Sequence, residues 1–236
     1  PQAVAFYASG QLLTEDYYAA NKLMKGFIGA ANIDTNSRLC MSSAVVGYKR
    51  AFGEDVVPCS YEDVENSDLV VLVGSNAAWT HPVLYQRLVQ AKHNNPEMKV
   101  VVIDPRRTAS CDIADLHLAL TPGSDAGLFV GLLNVIQGTD AWPISRVAAF
   151  CSLSPQDIGT FYDWFMTAPR AITLYTMGIN QSSSGSDKCS AIINVHLASG
   201  KFNRPGCGPF SLTGQPNAMG GREVGGLANQ LAAHRN

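Results

Sequence analysis

Leu69-Val70-Val71-Leu72-Val73-Gly74-Ser75-Asn76 is the stretch on which the fold turns. Five consecutive apolar residues have the length of a strand covered on both faces, which is how strands of parallel sheets read. Gly74 then lets backbone amides face a ligand at the strand's carboxyl end. Downstream, Pro82 opens a helix that stops near Asn94-Asn95-Pro96, and Val100-Val101-Val102-Ile103 is a second buried strand ending in Asp104-Pro105-Arg106-Arg107. Strand, loop, helix, strand is a βαβ unit, and ligands of such sheets bind beyond the strands' carboxyl ends. Asp104 is placed there to accept ribose hydroxyls, and Arg106 and Arg107 to neutralise a pyrophosphate or stack on a purine. The G-x-G-x-x-G fingerprint is absent, and Asp104 lies farther from its glycine than the ~20 residues usual in that motif. From the residues alone, a dinucleotide site and a plain α/β core stay equally open.

Working outward, Leu116-His117-Leu118-Ala119-Leu120 alternates as a third strand, and Thr121-Pro122-Gly123-Ser124-Asp125 turns it into a helix running to Val135. Asp125 near that start is favoured by the helix dipole. Ser154-Pro155-Gln156-Asp157 begins a helix whose Phe161, Trp164 and Phe165 read as packing. The acidic run Glu62 to Asp68 reads as a solvated helix face, His117 as incidental, and His196 as a packed or surface histidine rather than a ligand. Near the amino end, Val4-Ala5-Phe6-Tyr7 is a strand ending at Ser9-Gly10-Gln11; Thr14 caps a helix that Gly29 stops. Ala171 to Gly178 repeats the pattern of Ala3 to Gly10, each followed by a glutamine, Gln181 and Gln11. Taken as strands of one sheet, they put residues 1–37 and 168–236 in a discontinuous α/β lobe, with 38–167 an inserted Rossmann-like domain. Cys40 falls at the crossing, where a cofactor cleft is expected.

Of the 236 residues 46% are hydrophobic, ample for a buried core, and 17 Lys+Arg against 19 Asp+Glu leave no basic excess for nucleic acid. No apolar run approaches the roughly 20 residues that span a bilayer, so no membrane partner is expected. The chain starts at Pro1 on an apparent strand and stops in mid-pattern, as an internal piece of a longer protein would. Its six cysteines (40, 59, 111, 151, 189, 207) are scattered without a C-x-x-C pair. Scattered reduced thiols suit the cytoplasm better than a disulfide framework.

Cys40 stands apart, between the polar run Asn32 to Arg38 and the start of a helix. A thiol there feels the positive end of the backbone dipole and the nearby Arg38, favouring the thiolate that a soft metal needs. An isolated cysteine is more often inert core. The wider pattern reverses that. Asn36-x-x-x-Cys40-Met41-x-Ser43-Ala44 resembles the molybdenum-ligand segment of the bis-molybdopterin-guanine-dinucleotide oxidoreductases, most of all the assimilatory and periplasmic-type nitrate reductases. The resemblance continues through Gly74-Ser75-Asn76 with His81-Pro82, Ile103-Asp104-Pro105-Arg106-Arg107-Thr108, Pro122-Gly123-Ser124-Asp125, Met177-Gly178-x-x-Gln181, and Leu212-Thr213-Gly214-Gln215-Pro216 with Arg222-Glu223-Val224-Gly225. These motifs keep their order over nearly the whole chain.

The resemblance implies an α/β fold of the formate dehydrogenase/DMSO reductase kind and the catalytic subunit of a nitrate reductase, reducing nitrate to nitrite by two-electron oxygen-atom transfer. It implies that Cys40 ligates molybdenum with Met41 beside it, and that Arg222 and Gln215 orient nitrate. Gln11, Asn36, Gly74, Ser75, Asn76, Asp104, Arg106, Thr108, Gly123, Asp125, Met177 and Gln181 carry over as contacts to Mo-bis-molybdopterin guanine dinucleotide, Asp125 at the guanine end. A [4Fe-4S] cluster belongs to a segment this chain lacks, and electrons are expected from ferredoxin, flavodoxin or an NADH-linked partner. The piece alone is expected to be inactive. Formate dehydrogenase is the nearest alternative, disfavoured because its members tend to follow the metal ligand with histidine where Met41 stands; a cofactor-free structural or electron-transfer subunit is the other. The glycine-rich tail suggests backbone passing close to a ligand.

Overall fold

The computed structural model describes residues 1–228. The chain forms two compact units: one holds Pro1–Ser42 and the described chain from Thr213, the other Ser43–Leu212.

The larger unit is a five-stranded, wholly parallel sheet. Its strands are β3 (Leu69–Val73), β4 (Lys99–Ile103), β5 (Leu116–Leu118), β6 (Ala171–Tyr175) and β7 (Gly208–Ser211), in the order β5-β4-β3-β6-β7. The chain enters at the centre, steps outward to β5, then returns to the other side of β3. β3 is buried at every position. Burying five such side chains contributes of order 10 kcal/mol gross at ~2 kcal/mol each. Strand alternation splits them between two cores. Leu69, Val71 and Val73 pack with residues of α2 (Ser37–Phe52), α6 (Asp125–Ile136), α7 (Ile144–Cys151), α8 (Pro155–Thr167) and α10 (Gly185–Ala198). Val70 and Leu72 face α3 (Tyr61–Asn66), α4 (Ala77–Thr80) and α5 (Pro82–Asn94). A short α9 (Met177–Asn180) follows β6.

Local chemistry sets the helix starts. Pro155 is the first residue of α8, and the Ser154 hydroxyl accepts from the Gln156 and Asp157 amides. The acidic run is not simply solvated: Asp63 accepts the Ser60 and Gly206 amides, and Asp68 holds the Arg170 guanidinium through two nitrogens, at 3.0 and 2.6 Å. That clamp joins the starts of β3 and β6. The Arg170 hydrogen bonds hold the Asp68 carboxyl below its ordinary range.

In the smaller unit β1 (Phe6–Ala8) pairs in parallel with β2 (Ile33–Thr35). Between them α1 (Thr14–Asn21) continues as a π-helical turn, Lys22–Ile28, ended by Gly29 at φ 74°. Thr14 is the first helical residue and not the cap; the Asp16 carboxylate accepts the Leu13 amide instead. α11 (Ala218–Glu223) completes the unit.

The expectation that Ala171 to Gly178 lies beside Ala3 to Gly10 in one sheet is corrected. β6 is bonded residue for residue to β3, from Leu69 with Ala171 to Val73 with Tyr175. A strand buried at all five positions needs a neighbour on each edge, whereas the three residues of β1 leave Tyr7 71% exposed. Pattern reports how a strand is covered, not which strand covers it. Ser43–Leu212, which holds β6, forms one compact unit.

Candidate functional site

The candidate residues fall into two groups, one in each unit. In the sheet unit they gather on loops leaving the carboxyl ends of the strands. The order β5-β4-β3-β6-β7 reverses direction between β3 and β6, the topological switch point at which such sheets bind ligands. Gly74 and Gly178 meet there backbone to backbone. The Gly178 amide donates to the Gly74 carbonyl at 3.1 Å, and a Cβ on Gly178 would lie 2.6 Å from the Gly74 Cα. Gly74 is also left-handed, at φ 54°. Gly74 and Gly178 were each visible in the sequence as parts of motifs; that they meet across 104 positions was not.

Ser75, next to this junction, has its hydroxyl buried without a hydrogen-bond partner among the described residues. Asn76 accepts from the buried Ser110 hydroxyl at 3.2 Å, and that hydroxyl also accepts the Ala78 amide. Ser110 thus fixes the loop after β3, a role no sequence signal announced. Asp104, 5% exposed, accepts the Arg106 amide at 2.9 Å. The Arg106 side chain is itself 78% exposed, with its Nε 3.8 Å from the Asp104 carboxylate. His117 is not incidental, since its Nε2 meets the Asp104 carbonyl at 2.9 Å. Thr108 lies in the same loop, immediately before a 3-10 turn, Ala109–Ile113. Beyond β5, Gly123 takes φ 92° in open space. Asp125 opens α6, where its carboxylate receives the Lys188 ammonium at 2.6 Å, with both side chains under 10% exposed. After β6, Met177 starts α9, its sulfur accepting from the Asn180 amide group at 3.5 Å, and Gln181 is exposed at the end of that turn.

These features fit an elongated polar ligand at the switch point: glycine loops that admit close backbone approach, an unsatisfied buried hydroxyl, and an exposed guanidinium.

The second group is Gln11, Asn36, Cys40, Met41, Gln215 and Arg222. Met41 breaks α2, with φ −140° and ψ 16° inside the helix. Cys40 ends the first turn and the helix restarts after Met41, so the half-buried thiol sits at an interruption of the hydrogen-bonded ladder. Arg38 pairs with Asp34 at 3.1 Å, one turn earlier, so its charge is shared with that carboxylate. Arg222, 2% exposed, comes from α11 to the same place: its guanidinium meets the Met41 sulfur at 3.3 Å and the Met219 sulfur at 2.8 Å. The fold therefore brings together Arg222 and the residue adjacent to Cys40, 181 positions apart. Met219 was not foreseen.

Asn36 accepts the Gly10 amide at 2.8 Å and so ties down the loop after β1. A Cβ on Gly10 would collide with Gln215 at 2.5 Å and with the Ser37 hydroxyl at 2.8 Å. The Gln215 side-chain oxygen is buried there with no partner among the described residues. Gln11 stands outside this cluster, exposed and bonded locally to Ser9. The glycine-rich tail is corrected in its meaning: Gly221 and Gly226 press on the ring of the fully buried Tyr17, whose hydroxyl donates to the Ser9 carbonyl. The backbone approaches closely, but to an aromatic ring of the same unit.

The remaining cysteines behave as core. Burial pushes the Cys59, Cys111 and Cys151 thiols up and Cys189 to about 12, which leaves them protonated and inert. His196 is wholly buried between the Thr173 hydroxyl and the Lys201 carbonyl, and burial lowers it to about 4. Among the described residues no group of three or more His, Cys, Asp or Glu could hold a metal, and no helix is long and apolar enough to cross a membrane.

The family model described as Molybdopterin oxidoreductase matches residues 1–235. A nitrate reductase of Klebsiella oxytoca is 77% identical over all of this chain, which covers 29% of that protein. A periplasmic nitrate reductase of Desulfovibrio desulfuricans is 38% identical over all of the chain and 35% of its own length. The chain thus spans about a third of these relatives. Among solved structures, acetylene hydratase from Pelobacter acetylenicus superposes with a TM-score of 0.61 over 81% of this chain and 29% of that one, at 21% identity, a likeness of fold alone.

Proposed function

The chain belongs to the molybdopterin oxidoreductase family, and from that premise we propose that it is part of the catalytic subunit of a nitrate reductase, taking nitrate to nitrite and water with two electrons and two protons. The observation that carries the proposal is the placing of a buried guanidinium, Arg222, against Met41, the residue that follows Cys40. A planar, permanently charged fork matches a planar oxyanion in two contacts at once.

The residues present fit a molybdenum–pterin cofactor. Cys40 is a soft donor at a break in a helix, and the switch-point loops have the glycines and the unsatisfied Ser75 hydroxyl that a dinucleotide tail uses. We assign the metal to Cys40. The guanine-dinucleotide form we assign to Gly74, Ser75, Asn76, Asp104, Arg106, Thr108, Gly123, Asp125, Met177 and Gln181; Gln11 and Asn36 we assign as cofactor contacts on the resemblance alone. When bound, the group supplies the two-electron redox chemistry. Arg222 and Gln215 hold and orient the nitrate oxygens, the gain being one of positioning. The thioethers of Met41 and Met219 flank the guanidinium with apolar bulk that keeps water away from its contacts. We place the protein in the cytoplasm, supported by six scattered cysteines that form no disulfide among the described residues, with a [4Fe-4S] cluster and a ferredoxin, flavodoxin or NADH-linked donor completing the electron path.

The test is molybdenum content and nitrate-dependent oxidation of reduced viologen in the full-length polypeptide, wild type beside Cys40→Ala, with formate oxidation in parallel. Metal and nitrate turnover, both lost in the variant, are expected. Formate turnover in place of nitrate, or a protein without molybdenum, would overturn the assignment.

A further inference from the structure

The ion pair between Lys188 and Asp125 is the most deeply buried in the sheet unit, its side chains 3% and 8% exposed and 2.6 Å apart. Its partners lie 63 positions apart, on the first turns of α6 and α10. The placement is costly for the lysine. Both helix starts carry the positive end of a dipole, and an ammonium is disfavoured at each. Stitching two helices does not require this arrangement, because a leucine–leucine contact would do so without desolvating two charges. What the lysine does accomplish is to fix one carboxylate oxygen of Asp125, at the carboxyl edge of β5 and one residue past the Gly123-Ser124 turn.

We propose that Lys188 is a positioning residue: it orients the Asp125 carboxylate so that its other oxygen accepts the N–H donors of the guanine ring of the dinucleotide. This rests on the reading of Asp125 as the guanine contact. An aspartate alone in this turn could rotate about its side-chain bonds, whereas one with an oxygen held at 2.6 Å cannot do so without breaking a charge-assisted hydrogen bond. A purine with adjacent N–H donors is thereby selected over one with an acceptor at that edge.

The experiment measures guanine nucleotide released by acid hydrolysis, per mole of full-length protein, together with melting temperature, for wild type, Lys188→Arg, Lys188→Met, Asp125→Asn and the Lys188→Met/Asp125→Asn double variant. Lys188→Met should lose guanine about ten-fold, the scale of one misdirected charge-assisted bond, and Lys188→Arg should retain most of it. The double variant buries no charge; its melting temperature should recover toward wild type while its guanine content stays low. Recovery of both would make the pair a stitch between helices and overturn the proposal, as would unchanged guanine in Lys188→Met. Wild-type protein that carries molybdenum without guanine would instead overturn the reading beneath it.

Discussion

Gly178→Ala tests the geometry of the switch point directly. The new Cβ would lie 2.6 Å from the Gly74 Cα, 2.8 Å from its carbonyl oxygen and 3.1 Å from its carbonyl carbon. Carbon atoms rest at about 3.5–4.0 Å, so two backbones must part by roughly 1 Å. Neither can yield as a side-chain tip would, for the Gly74 carbonyl is held by the Gly178 amide at 3.1 Å and the Thr176 hydroxyl at 2.6 Å. Overpacking of this kind costs about 1–3 kcal/mol, and weakening one of those hydrogen bonds adds about 1 kcal/mol. The sum, about 2–4 kcal/mol, lowers the melting temperature by roughly 5–15 °C for a chain of this size. Gly159→Ala is the control of opposite sign. That glycine lies inside α8 with nothing within 4 Å of where the added methyl would stand, and alanine there should stabilise by about 0.5–1 kcal/mol. Calorimetric melting of the two variants beside wild type reads both. A Gly178→Ala protein that melts within about 1 °C of wild type would refute the close approach and with it the switch-point cradle.

Arg222→Lys keeps the charge but loses the fork, and the nitrate KM should rise about ten-fold with molybdenum content unchanged; a KM within error of wild type would remove Arg222 from substrate binding. His196 is held neutral by burial near 4, against about 6.5 in the unfolded chain, which therefore takes up the proton first. Its contribution, of order 3 kcal/mol, is complete above about pH 6.5 and shrinks as pH falls toward 4, so urea midpoints should drop over that window in wild type and less in His196→Gln. Asp68→Asn breaks the clamp on Arg170. Both side chains are partly exposed, so the loss in urea should be only about 1 kcal/mol at neutral pH. It should vanish on acidification through the depressed carboxyl pKa, and a loss that persists there would show that the charge is not what stabilises.

What the sequence made legible was local. The Leu69 to Val73 run, the Pro82 and Pro155 helix starts and the Gly29 stop follow from residues within one turn of each other, and the structure puts each where its chemistry requires. The loops after the strands were legible because parallel topology sends them all to one edge. Partnership was not. β6 and β1 carry the same pattern, yet only β6 has the five buried positions that fit beside β3. Lys188 reads as an ordinary charge near a helix start; only packing of α10 on α6 makes it the mate of Asp125. The tail glycines announced a close approach but not its object, since the Tyr17 ring lies some 200 positions away. Asn36 was legible as important, while its bond to the Gly10 amide required β1 and β2 to be side by side.

The order in which the sheet is laid down has a consequence for biosynthesis. β3 leaves the ribosome before any of its neighbours, a wholly apolar ribbon whose β4 edge is covered about thirty residues later. Its other edge waits for β6, about a hundred residues on. At roughly 5–20 residues per second, that edge stays open for about 5–20 s of translation. Through that interval the nascent chain carries an unpaired central strand, the kind of edge that recruits other strands, and its safe passage depends on chaperone cover or on the speed of elongation between Val73 and Ala171.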